Sequence, residues 1–169
     1  MARYIEKLQA AVRVSQTGEE PVDGWLSLSP QAEHHDGPET LLDLLNSSLR
    51  VLPLVRGEGQ PVLLLMRTGV DWVMPAPDVA RELVGPRTWR VTREERVEVR
   101  FLDGRRLEGL IQMELPDDLN RASDFLNGPD DFFALQTPFA TLLVNKASVR
   151  DTLVYQSSPR PVELGEESG

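Results

Sequence analysis

The sequence predicts a mainly β protein of two tandem small five-stranded barrels, each preceded by a short helix. Three observations predict this. Apolar and polar residues alternate over short runs, as half-buried strands require. Glycine, proline and aspartate punctuate those runs at short intervals. The two halves of the 169-residue chain also carry the same residues in the same order. Val12, Val14, Val22, Gly24, Leu26 and Leu28 match Val97, Val99, Leu107, Gly109, Ile111 and Met113, each 85 positions on. Asp43-Leu44-Leu45-Asn46 matches Asp124-Phe125-Leu126-Asn127, and Val51, Leu52 and Leu54 match Phe132, Phe133 and Leu135, all 81 positions on. Leu63, Leu64, Leu65, Arg67 and Val70 match Leu142, Leu143, Val144, Lys146 and Val149, 79 positions on. The offset drifts only in loops, which is the mark of one unit used twice.

The elements follow in order. Tyr4, Ile5, Leu8 and Ala11 stand at helical spacing, so a short helix is expected over residues 2–11. The period then changes to two: Val12 and Val14 form one strand, and Val22, Leu26 and Leu28 a second. In the second half the same hairpin turns through Asp103-Gly104, a pair that tolerates the positive φ of a tight turn. A long polar loop leads in each half to a helical turn bearing the Asp-x-Leu-Asn match. Strands are then expected over 51–55 and 132–136, over 62–66 and 141–144, and from Val70 and Val149 onward. Between the halves, Val79, Ala80, Leu83 and Val84 suggest a short helix that stops at Gly85-Pro86. This gives a first unit over 1–75 and a second over 76–156. Residues 157–169 are rich in Ser, Pro and Glu, without apolar periodicity, and are expected to be a disordered acidic tail.

Composition narrows the function classes. Hydrophobic residues make up 40% and charged residues 27%, an ordinary globular mix. No apolar run is long enough to span a membrane, and the N-terminus lacks a basic-then-apolar leader, so no membrane partner and a cytoplasmic location are expected. The chain has no cysteine, which removes disulfides, thiolate metal sites and thiol nucleophiles. Its two histidines are adjacent, His34 and His35, and no Gly-x-Ser-x-Gly elbow exists, so a nucleophilic triad finds no residues. Adjacent side chains in an extended loop diverge, so His34-His35-Asp36 reads as a solvated loop and no metal or other cofactor is expected. Net charge is −9 and uneven: residues 14–49 hold seven acids and no Lys or Arg. Residues 87–106 hold seven arginines against four acids. The first half should repel a phosphate backbone, and only the start of the second could attract one.

The order of signals in each half resembles the Sm/LSm/Hfq-like small barrel, with SH3-like barrels sharing much of the pattern. The resemblance rests on Val97-x-Val99, Asp103-Gly104-Arg105 and Leu107-x-Gly109, and on 63–70, an apolar strand, a basic turn and a last strand. It could cover nearly all of residues 1–155. It departs in the middle, where a long loop with a helical turn replaces the family's short Asp-and-Asn loop. In that family the turn occupied here by Arg67 and Lys146 contacts RNA, so the resemblance implies nucleic acid as an alternative partner.

The candidate binding residues are Asp124, Phe125, Asn127, Phe132, Asn145, Lys146 and Arg67. The Asp-x-Leu-Asn pair weighs towards structure: Ser123 or Asp124 can cap the turn, and Asn127-Gly128 can end it in the left-handed conformation. Phe125, Phe132, Phe133 and Phe139 cluster in the second half, and the first half has aliphatics at the matched positions Leu44, Val51 and Leu52, which suits either a fuller core or a binding face. Trp25, Trp72 and Trp89 have no aromatic match in the other half, as expected where the units pack on each other or on a partner. The leading expectation is a non-enzymatic, regulatory interaction or scaffold module that meets another protein, or itself, through strand edges. The alternative is a tandem Sm-like RNA-binding protein, with tight RNA binding not expected.

Overall fold

A computed structural model describes residues 7–85, 93–114 and 121–155. The protein is mainly β. In the first half, β1 (Leu8–Gln16) and β2 (Val22–Leu28) form an antiparallel hairpin. The short helix α1 (Leu41–Leu45), β3 (Val51–Leu54), β4 (Leu63–Met66) and β5 (Val70–Pro75) follow. The second half runs through the same series. The hairpin of β6 (Arg93–Phe101) and β7 (Arg106–Met113) precedes α2 (Ala122–Leu126), β8 (Phe132–Gln136), β9 (Thr141–Asn145) and β10 (Val149–Val154). A single 3-10 turn links β4 to β5, at Arg67–Gly69, and another links β9 to β10, at Lys146–Ser148.

Alternation explains the strands. Val12 and Val14 point inward while Arg13 pairs outward with Asp23; Val97 and Val99 do the same between charged neighbours. Gly24 and Gly109 hold the same position in the second strand of each half. A Cβ on Gly24 would lie 2.6 Å from the Val55 carbonyl oxygen, and one on Gly109 would lie 2.6 Å from that of Gln136. No side chain fits there, because the strand bends onto the third strand across a backbone contact. That contact is narrow in both halves. Trp25 and Val55 exchange N–H···O bonds of 2.8 and 3.1 Å, and the Leu110–Gln136 pair joins β7 to β8.

Several sequence expectations are corrected. Residues 8–11 do not extend a helix; they open β1, since Ala10 and Val12 line one buried face with period two. Residues 2–6 lie outside the described residues. The helix expected before the second half is reduced to one 3-10 turn, Arg81–Leu83, too short a segment between Pro77 and Gly85 to propagate. The two closed barrels are not found. An eight-stranded sheet in the order β10-β6-β7-β8-β9-β5-β1-β2 runs through both halves, and β3-β4 forms a two-stranded sheet joined to it by the Trp25–Val55 bridge. Closure fails because β9 pairs with β5 of the other half, so each half opens onto its neighbour. The expected acidic tail, 157–169, lies outside the described residues, as does Trp89.

Two cores result, and they interlock. Phe132 and Leu143 of the second half pack into the core of the first, with Val14, Leu26, Leu45 and Val73. Trp72 and Met74 of the first half pack against the core of the second, beside Val99, Phe133 and Val144.

Candidate functional site: the inner joint and the outer strand edges

The joint between the halves is built on β5 and β9, which pair antiparallel with Trp72 opposite Val144 and Val73 opposite Leu143. Three polar clamps surround this pairing. The Asn145 side-chain amide, almost fully buried, donates to the carbonyls of Val70 at 2.8 Å and Arg67 at 3.4 Å. Asn46, just beyond α1, donates to the Phe132 carbonyl at 3.1 Å and accepts from the Phe132 N–H at 2.7 Å. Arg105, from the β6–β7 turn, reaches back to the first half. It donates to the buried Asp71 carboxylate and, at 2.9 Å, to the buried Ser15 hydroxyl. The Thr17 hydroxyl donates to the other Asp71 oxygen at 2.7 Å, so this carboxylate has partners from both halves. A buried polar group so matched fixes one geometry, because any displacement leaves a desolvated donor or acceptor.

At the two outer edges the corresponding elements have one neighbour each: among the described residues β4 pairs only with β3, and β10 only with β6. Leu64 and Met66 of β4 are 61% and 54% exposed, whereas Leu143 and Asn145, at the matched places on β9, are 0% and 3% exposed. Leu153 and Val154 of β10 are 44% and 47% exposed, whereas Pro75, matched to Val154, is buried within β5. Tyr155 closes β10 against its own sheet. Its hydroxyl donates to Glu108 at 2.8 Å and its ring lies 4.8 Å from the Arg96 guanidinium. Hydrogen bonding to the Glu108 carboxylate raises the Tyr155 pKa, and the same bond lowers that of Glu108.

The residues singled out from sequence separate into three groups. Phe132 and Asn145 are buried in the inner joint, as described. Arg67 and Lys146 hold equivalent turns and are both engaged, Arg67 also across the halves, 3.7 Å from the Asp131 carboxylate. Arg67 donates to the carbonyls of Leu45 and Ser47, and Lys146 donates to the Gly128 carbonyl at 3.1 Å. Burial lowers the Lys146 pKa, against the pull of Asp130 and Asp131. Asp124, Phe125 and Asn127 lie together on α2 and its end. Phe125 is half-buried, its ring 6.3 Å from that of Phe133 in an edge-to-face contact, while Asn127 is exposed.

The helical turns differ from their expected capping. Thr40 caps α1 in a reciprocal box with Asp43: its hydroxyl accepts from the Asp43 N–H at 3.0 Å and its own N–H donates to the Asp43 carboxylate at 2.9 Å. Arg121 is the N-cap residue of α2 and makes no side-chain cap bond, and Ser123 and Asp124 lie inside the helix. Asn127 closes it at φ −78°, in the right-handed region. A ring nitrogen of His35 lies 2.6 Å from the Asp43 carboxylate, tying the long polar loop to α1. Phe139 is 96% exposed at the β8–β9 turn, and Phe133 is buried.

Sequence reasoning misses Arg105, Asp71, Ser15 and Asn46 as the residues that clamp the halves. Only Asn46 carries a signal, its repetition at Asn127; nothing in the sequence ties Arg105 to Asp71, 34 residues away. Among the described residues no group of His, Asp and Glu could hold a metal ion, and no helix is long and apolar enough to cross a membrane. No protein family, curated protein or solved structure matches the chain.

Proposed function

We propose that the protein is a non-enzymatic interaction module that works by strand addition at its two outer edges. The two halves serve as copies of one small, open Sm-like or SH3-like unit, joined by β5–β9. The observation that carries this reading is the exposed apolar residues on each outer edge: Leu64 and Met66, on one face of β4, and Leu153 and Val154, on opposite faces of β10. Edge strands present unpaired N–H and C=O groups and are blunted in most folds by charge, proline or cover. Here β10 carries Arg150 and Asp151 at its start, but leucine and valine follow, and β4 is apolar throughout. A partner strand would gain main-chain hydrogen bonds and bury those side chains together.

RNA binding has less support. The two turn cations it needs, Arg67 and Lys146, already donate to backbone carbonyls. A photo-crosslinking residue placed at Leu64, at Leu153 and, as control, at exposed Glu58 tests the reading in cells that make the protein. Protein adducts from the two edges and not from the control are expected. Adducts to nucleic acid, or equal labelling at all three sites, would overturn it.

A further inference from the structure

We infer that the cavity where four turns meet beside the inner joint binds a primary ammonium carried on a short, unbranched aliphatic chain. The Thr17 N–H, in the β1–β2 turn, donates to the Gly69 carbonyl of the first 3-10 turn at 3.0 Å. The Leu102 N–H, in the β6–β7 turn, donates to the Ser148 carbonyl of the second at 2.9 Å. One pair of turns comes from each half, and between them lies a cavity of about 140 Å³. A single water takes up roughly 30 Å³, so the space suits a small organic molecule. Thr17, Thr68 and Asp71 line it from the first half, Asp103 and Ser148 from the second. The site is separate from the outer strand edges and does not rest on their role.

Two independent observations point to a ligand. The first is Ser148. It is 7% exposed, it lines the cavity, and among the described residues its hydroxyl has no hydrogen-bond partner. A hydroxyl so buried is normally paired. The second is charge. Asp71 and Asp103 share one guanidinium: Arg105 donates through Nη2 to Asp71 and through Nε to Asp103, the latter at 2.6 Å. Two carboxylates against one guanidinium leave one negative charge, and Asp71 is buried. Thr17 gives its proton to Asp71 at 2.7 Å, which leaves its oxygen as an acceptor. The cavity therefore offers acceptors and one uncompensated negative charge. A primary ammonium is the complement, with one positive charge and three N–H donors that can point to separate oxygens. A divalent metal ion fits less well. Both carboxylates already hold a cation, and no group of three acids or histidines exists among the described residues. Ala147 and the exposed Leu102 complete the lining, and they give an alkyl chain an apolar path outward.

NMR amide shifts of the full chain, titrated with butylamine at fixed pH and ionic strength, test the site. Saturable shifts centred on Thr17, Thr68, Asp103 and Ser148 are expected, with a Kd of about 1 mM for so small a ligand. Butan-1-ol has the same chain without the charge, and tetramethylammonium has the charge without an N–H; neither should saturate. The bound amine touches both halves, so it should also raise the Tm. Asp103→Asn removes the net charge and should weaken binding about tenfold. Ser148→Ala removes one acceptor and should weaken it about fivefold. The amide spectrum of each variant shows at the same time that it is folded. Butylamine shifts still linear at about 50 mM would overturn the inference. So would equal shifts from tetramethylammonium, or wild-type affinity in either folded variant.

Discussion

The inner joint and the outer edges are made from matched strands, yet one is a core and the other a surface. β9 and β4 have the same apolar pattern, and so does much of β5 compared with β10. Leu143 is buried with Val73 opposite it on the neighbouring β5; Leu64, at the matched place, is exposed, and among the described residues no strand lies beyond β4 on that side. An apolar strand is therefore not in itself a core strand. Its burial is conferred by the neighbour, and the chain supplies that neighbour to β9 and not to β4.

The sharpest way to break this comparison is to truncate the matched leucines. Leu143→Ala should cost about 2–5 kcal/mol, the usual loss for a fully buried leucine, whereas Leu64→Ala should stay within about 0.5 kcal/mol in the isolated chain. Denaturant unfolding measures both, and equal losses would mean that the two edges are not different in kind. Next in size is the charge clamp. Arg105→Met leaves the Asp71 carboxylate buried with only Thr17, and should cost about 3 kcal/mol. Adding Asp71→Asn to that variant should recover part of the loss, because the uncompensated charge is then gone. A double variant less stable than Arg105→Met would refute the clamp.

Smaller again is the asparagine pair. Asn46→Ala strips partners from the Phe132 N–H and carbonyl and should cost about 1–2 kcal/mol. Asn127→Ala, at the matched but exposed position, should be near neutral, and unfolding curves compare the two. The smallest effect is electrostatic and confined to the loop before α1. Hydrogen bonding to Asp43 raises the His35 pKa above 6.5. Burial pushes the Asp43 pKa up, but hydrogen bonds from His35 and Thr40 outweigh it and leave the pKa below 3.8. The His35 contribution to stability is present below 6.5 and fades as pH rises through its raised folded value. The Asp43 contribution is present above 3.8 and fades as pH falls through its lowered folded value. Both hold between those limits. An NMR titration should place His35 above its ordinary value, and Asp43→Asn should bring it down; a His35 titration unmoved by that change would show that the pair does not form.

Much of the local structure is legible in the sequence. Alternation at Val97-Val99 and Val12-Val14, the Asp103-Gly104 turn and the restart of strands at Val70 and Val149 depend on neighbours within a few residues, and each is where the pattern puts it. Residues 8–11 mislead because Leu8 and Ala11 satisfy helical and strand spacing alike, and pairing with Leu28, Ser27, Leu26 and Trp25 decides for the strand. The candidate site is legible only as a set of residues. Phe132 and Asn145, expected at a surface, lie in the joint; Arg67 and Lys146, expected as free cations, hold carbonyls.

By itself, then, the sequence determined a mainly β chain, the order of its strands, the two halves in parallel and the two glycines that admit the strand crossing. Those properties follow from side-chain period, turn chemistry and the absence of a Cβ, which act over short range. Tertiary structure alone decided that β9 pairs with β5 and that neither half closes on itself. It also decided that Arg105 meets Asp71, and that β4 and β10 are left as edges. Strand pairing is made by backbone groups that every residue carries, so the sequence of a strand does not name its partner. Competition among non-local pairings does, through the side chains each one buries and the polar groups each one satisfies.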